Sequence, residues 1–164
     1  MNGNLRVDGD ILLPVRKGYV SLSPPAFRDI ERTTIGFQSS IPRVGNTELG
    51  SFSALANVHL PVGATIVALR ASVDNQLSDS NDGILNVTLY RSQVGFSIKE
   101  DWLASVGAGL GRDFVSTTNI KHAVVDFSHS YYVDFNGHVF PSGSPNSMFL
   151  YGVTIEYEVS QVLP

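Results

Sequence analysis

The stretch HLPVGATIVALRASVDNQLSDSNDGILNVTLYRS, His59 to Ser92, alternates apolar and polar residues on both sides of a polar segment. In ATIVALRASV, Thr65, Val67, Leu69, Ala71 and Val73 share one face, and Ile66, Ala68, Arg70 and Ser72 share the other. In ILNVTLYR, Leu85, Val87 and Leu89 oppose Asn86, Thr88 and Tyr90. Period two is the signature of strands with one face in a core. The intervening DNQLSDSNDG is rich in Asp, Asn and Ser and ends in Gly, so it reads as the loop of a hairpin joining the two strands.

MFLYGVTIEYEV places Phe149, Tyr151, Val153, Ile155, Tyr157 and Val159 on one face and Thr154, Glu156 and Glu158 on the other. HAVVDF and YYVDFN read as two further strands joined by SHS. KEDWLASVGAGL reads as a short helix or turn, with Asp101 near its start, Gly107 at its end and Trp102 in a loop. No window shows sustained helical spacing, and the strands are separated by Gly, Pro, Asn and Ser clusters. The expected fold is all-β: an antiparallel β-sandwich or jelly roll with an extended N-terminal arm.

That arm is residues 1–50, and the sandwich is residues 51–164. Pro14, Pro24, Pro25 and Pro42 interrupt the apolar runs of the arm, which confines its strands, around YVSLS and TTIGFQ, to sheet edges. Its Val15, Tyr19, Val20, Leu22, Phe27, Ile35, Phe37 and Ile41 require burial against the sandwich or a neighbouring subunit.

The 164 residues suit one domain with a real core. Charged residues make up 16% of them, against about 25% in an average soluble protein, which suits a surface covered within an assembly. Net charge is −4 and the eleven Lys and Arg are scattered. Nucleic-acid binding, which needs a basic stripe, is excluded on that ground. The absence of cysteine removes disulfides, thiolate zinc sites and cysteine nucleophiles. MNGNLRVDGDILLP lacks a basic segment followed by an apolar run, so no signal peptide is expected in this chain. The long uncharged stretch from Ser51 to Leu69 carries Asn57, His59, Pro61 and Gly63, which argues against a membrane helix.

SLSPPAFR, LPVGATIVALRASV, LNVTLYRS, YYVDF and LYGVTIEYEV together resemble a β-sandwich module that recurs at the C-terminal ends of phage tail fibres and of bacterial surface or secreted proteins. GNLRVDGDI resembles one turn of the fibre-shaft repeats of such proteins. The resemblance spans residues 18–159. It implies a non-enzymatic domain without cofactors, commonly trimeric in virions, that tips, decorates or joins a larger assembly.

Chemical constellations are weak. In DNQLSDSNDG, Asp74, Asp79, Asn81 and Asp82 offer oxygen ligands, but their order departs from the twelve-residue calcium loop and no Glu closes it, so a polar turn is expected. GAGLG, Gly107 to Gly111, lacks the strand before and helix after that a phosphate loop needs. His122, Asp126 and His129 would need His59 or His138 to complete a metal site. No Gly-x-Ser-x-Gly elbow is present. Glu156 and Glu158 share a strand face and are expected to be solvated. Asn86-Val87-Thr88 matches a glycosylation sequon within a strand and carries no weight.

Two functions follow. The first is a structural protein of a phage particle or similar surface assembly, virion-borne or extracellular, whose partners are itself, as a homotrimer, and other structural proteins. Its interface candidates are Tyr19, Phe27 and Phe37 in the arm, with Tyr90, Trp102 and Tyr132, because aromatic side chains anchor interfaces. The alternative is a glycan-binding module that uses Trp102 with Asp79, Asn81 and Asp82.

Overall fold

The alternation becomes a stack of β-strands in a computed structural model that describes residues 11–12, 14–31, 43–46, 49–79, 82–94, 100–140, 148–160 and 162–163. The strands are β1 (Ile11–Leu12), β2 (Arg16–Leu22), β3 (Arg28–Glu31), β4 (Val44–Asn46), β5 (Gly50–Val58) and β6 (Thr65–Asn75). They continue with β7 (Gly83–Gln93), β8 (Glu100–Gly107), β9 (Gly111–Thr117), β10 (His129–Val139), β11 (Met148–Val159) and β12 (Val162–Leu163). Sheet I has the order β3-β5-β10-β7-β8 and sheet II the order β2-β11-β6-β9, with β4 also paired to β11. All pairings are antiparallel, and β1 pairs with β12 in a separate two-stranded ladder. The protein is an antiparallel β-sandwich.

The hairpin expected between residues 65 and 90 does not form. β6 lies in sheet II and β7 in sheet I, so DNQLSDSNDG carries the chain from one sheet to the other. Sheets pack about 10 Å apart, and this segment bridges that gap while burying Leu77, whose N–H donates to Asn75 Oδ1 at 3.3 Å. Alternation shows which face of a strand is buried, and both strands do bury one. It carries no information about which strand lies alongside.

Two further expectations are corrected. Within KEDWLASVGAGL, Glu100–Gly107 forms β8, paired to β7, so Trp102 is on a strand and not in a loop. HAVVDF is a loop whose Val124 makes an isolated antiparallel bridge to Thr65, through Val125 N–H donating to Ala64 O and Ile66 N–H donating to Ala123 O. YYVDFN does lie in a strand, β10.

The core lies between the sheets, around fully buried Phe135, Ile66, Leu69, Leu85, Leu89, Leu103, Leu150 and Ile155, with Phe52 and Phe135 in tilted contact at 5.1 Å. Among the described residues four register shifts interrupt the ladders, one of them between Asp29 and Glu31 on β3. One residue is added on β11 at Tyr151, one on β6 at Val67 and one on β8 at Leu103. An extra residue reverses which parity faces inward. Val153 and Ile155 therefore enter the core as expected, while beyond the bulge Met148 and Leu150 enter it in place of Phe149 and Tyr151. On β6 the same effect buries Ile66 and leaves Thr65 and Val67 only half-buried.

Within residues 1–50, β2 and β3 are edge strands of sheets II and I, and Leu22, Phe27 and Val44 join the core. YVSLS lies in and just after β2; TTIGFQ lies outside the described residues. A 3-10 turn at Pro24–Ala26, closed by Phe27 N–H to Pro24 O, turns the chain from β2 to β3 and directs Phe27 inward. At 4% exposure Phe27 is a core residue and not an interface anchor.

Candidate functional site

The outer face of sheet I carries Tyr132, Tyr90 and Trp102 in register across β10, β7 and β8. Their flat faces are used within the protein. Tyr90 and Tyr132 stack on each other at 5.3 Å with 13° between planes, and Lys121 Nζ sits 3.3 Å from the Trp102 ring centroid. The polar groups of this face also bond one another. Ser53 Oγ and Asn136 Nδ2 each donate to Asp134 at 2.7 Å, and Thr88 Oγ1 meets Ser105 Oγ at 2.8 Å.

The outer face of sheet II is different. A cleft of about 720 Å³ runs across all four of its main strands, with Tyr19 and Ser21 from β2, Thr154 and Gly152 from β11, Arg70 and Ser72 from β6, and Phe114 from β9. Three strand spacings make it about 14 Å across. Ser21, Thr154 and Arg70 lie in register, so two hydroxyl groups and a guanidinium cross the floor in one row. Tyr19 stands at one side, 59% exposed, and Phe114 at the other, 83% exposed. The bulge at Tyr151 turns that ring outward, where Arg112 Nη2 donates to its hydroxyl at 2.8 Å and the hydroxyl donates to Asp74 Oδ2 at 3.2 Å.

Glu156 also lines the cleft. It is not solvated, as its strand position suggested, but buried: Lys17 Nζ donates to Oε1 and Arg70 Nη2 to Oε2, each at 2.8 Å. These bonds, the one from Lys17 foremost, hold its carboxyl below the usual range against the opposing effect of desolvation.

The other sequence candidates are dispersed. Asp79 and Asp82 close a turn on themselves, Asp79 N–H donating to Asp82 Oδ2 and Asp82 N–H to Asp79 O, both at 3.1 Å. That turn precedes β7, eight residues from Tyr90 and its neighbour Trp102, or about 26 Å along the strand. The structure does not bring these acids to Trp102. Asn81 and Phe37 lie outside the described residues.

Asp126 is joined to His129 Nδ1 at 2.7 Å and to Ser128 Oγ at 2.5 Å, which lowers its pKa to about 2, the Ser128 bond being the larger cause. His122 is exposed and left-handed at φ 47°. His138 meets Ser51 and lies against Phe140. Among the described residues no group of three or more His, Cys, Asp or Glu is placed to hold a metal ion.

No family model matches this sequence, and no curated protein is significantly similar to it. The structure is similar to the xylan-binding module CBM15, with 12% identity, a TM-score of 0.54, and 86% of this chain and 97% of that one covered. It is also similar to the CBM22-2 xylan-binding domain from Paenibacillus barcinonensis, at 10% identity and TM-score 0.52, covering 87% and 97%. These likenesses show a shared β-sandwich fold. A cyanophage capsid chain aligns over 97% of this chain with a TM-score of 0.33, too low to bear on the argument. No phage tail fibre identity emerges.

Proposed function

We propose that this chain is a non-catalytic glycan-binding module that holds an oligosaccharide across the sheet II cleft. The observation that carries this reading is the cleft itself: Tyr19 and Phe114 exposed on opposite sides of a floor of Ser21, Ser72 and Thr154. Pyranose rings present an apolar face and a hydroxylated rim. Aromatic side chains match the first and serine and threonine hydroxyls the second. A cleft of this size lies within the range of ligand sites. The fold shared with two xylan-binding modules supports the reading. In support of the non-catalytic part, both oxygens of Glu156, the carboxylate lining the cleft, are bonded to cationic partners that keep it ionised and unfit as a general acid at neutral pH. The proposal carries an extracellular or virion-surface setting with it.

Titration calorimetry against a panel of plant, bacterial and algal oligosaccharides tests it. Binding by the intact chain is expected, and Phe114→Ala and Tyr19→Ala should each weaken it by about tenfold, the scale of a ~1.4 kcal/mol contact, with unchanged melting temperature. A folded protein that binds nothing on the panel, or a Phe114→Ala variant that binds as well as the parent, overturns the reading.

A second reading, a structural protein that assembles with copies of itself, is favoured by the loop end of the sandwich. Phe127 is 86% exposed there, beside Val62 on the rim of one pocket and near exposed Val124. Light scattering decides it: oligomers that dissociate in Phe127→Asp support assembly through this end, and a monomer at high concentration removes it.

A further inference from the structure

We infer that the sheet II cleft selects glycans bearing a carboxylate, that is, uronic-acid residues, and that Arg70 is the side chain that reads it. The inference rests on the glycan-binding reading above and names the chemistry of that site.

Glu156 is one negative group held by two positive ones, and both cations are more than half exposed while the carboxylate is nearly buried. Glu158, in register with Lys17, adds a second negative charge beside Lys17, so the cluster is near neutral as a whole and its positive end is Arg70. Lys17 faces a separate pocket, with Pro14, Gly18, Pro61 and Tyr157, whereas Arg70 lines the cleft. Lys17 therefore neutralises Glu156 from outside the cleft, and the positive charge of Arg70 acts within it. The other cation beside the cleft, Arg112, is linked through the Tyr151 hydroxyl to the buried Asp74, which balances it.

Geometry adds to charge. A guanidinium has five N–H donors, and Arg70 gives Nη2 to Glu156. The remaining donors lie on a side chain positioned by that bond and rooted in a central strand, β6, between Thr154 and Ser116 in register. A planar fork held in this way pairs with a carboxylate through two parallel bonds. A neutral sugar would gain the aromatic and hydroxyl contacts but only single, uncharged hydrogen bonds from those donors, without the paired charge-assisted bonds of a carboxylate. The chain as a whole is acidic at −4, so attraction of an anion here is a local property of the cleft.

The test compares acids with their own methyl esters: glucuronic-acid-substituted xylotetraose and trigalacturonate, each with its esterified form, titrated into the full chain at about 20 and about 300 mM salt. At least one acid should bind about tenfold more tightly than its ester at low salt, and the gap should shrink at high salt. Arg70→Gln should abolish the gap, and Arg70→Lys should restore part of it. Equal binding of acid and ester by the parent chain overturns the inference and leaves the glycan reading standing. Binding of neither removes both. A gap that persists in a folded Arg70→Gln variant assigns the recognition to another residue and overturns the role given to Arg70.

Discussion

Arg70 reaches Glu156 across the β6–β11 ladder at 2.8 Å, from an exposed side chain to a buried carboxylate. Lys17 does the same from β2, so three strands of sheet II are pinned at one acidic residue. Because the partners depress its pKa, Glu156 contributes stability that is fully present above the ordinary carboxylate pKa and is lost as pH falls through the folded value. Glu156→Gln should therefore melt at a lower temperature than the parent at pH 7, and the two melting temperatures should converge as the pH is lowered below about 4. A difference independent of pH would show that the loss comes from packing and not from charge.

Gly137 sits in β10 between Phe52 of β5 and Leu85 of β7. A Cβ there would lie 2.5 Å from Ile84 O and 2.7 Å from the Phe52 ring. Since the closest atom belongs to a backbone that is fixed in the ladder, Gly137→Ala should cost about 1–3 kcal/mol, or roughly 2–12 °C in Tm for a domain of this size. Gly109→Ala, where nothing lies within 4 Å, should be close to neutral. Thermal unfolding of the pair checks both.

These examples also show what could be read from the sequence. The inward set Leu85, Val87 and Leu89 was legible because no bulge interrupts that part of β7. Val153 and Ile155 were legible for the same reason, whereas Phe149 and Tyr151 were misread because one added residue at Tyr151 reverses the pattern. The pairing of β6 and β7 was misread because a polar segment between two amphipathic strands serves a hairpin and a sheet crossover equally well. Of the cleft, the sequence marks Tyr19 as an interface residue and Glu156 as one of two solvated carboxylates. Tyr19, Arg70, Phe114 and Thr154 come from four separate strands, so no spacing along the chain announces them. The available signal was Phe114 in GRDFVST, an apolar residue whose same-face neighbours two positions away, Arg112 and Ser116, are both polar.

Trp102 is the only tryptophan in the chain, and it lies on sheet I. Its emission therefore distinguishes the two aromatic surfaces. Ligand held in the sheet II cleft should leave the tryptophan spectrum unchanged while calorimetry reports binding. A shift that saturates with ligand would place the sugar on the Tyr132, Tyr90, Trp102 row instead. Lys121→Ala should alter the spectrum in the absence of ligand, because it uncovers the ring, with a loss of about 0.5–1 kcal/mol expected for an exposed cation–π contact.

The loop end of the sandwich supplies the last test. Asp126 accepts from Ser128 N–H and Oγ and from His129, while its own N–H donates to the Tyr131 hydroxyl at 3.1 Å, so one carboxylate and its backbone fix the turn that feeds β10. With the pKa lowered from 3.8 to about 2, the stabilisation is fully present above pH 3.8 and disappears as pH falls through about 2. Asp126→Asn should thus be less stable than the parent at neutral pH, and the difference should close between about pH 4 and pH 2. Denaturant unfolding across that range measures it. The same substitution should loosen the Val62–Phe127 end without touching the cleft on sheet II, so glycan binding should survive it. Loss of binding in a folded Asp126→Asn variant would mean that the ligand sits at the loop end and not across the strands.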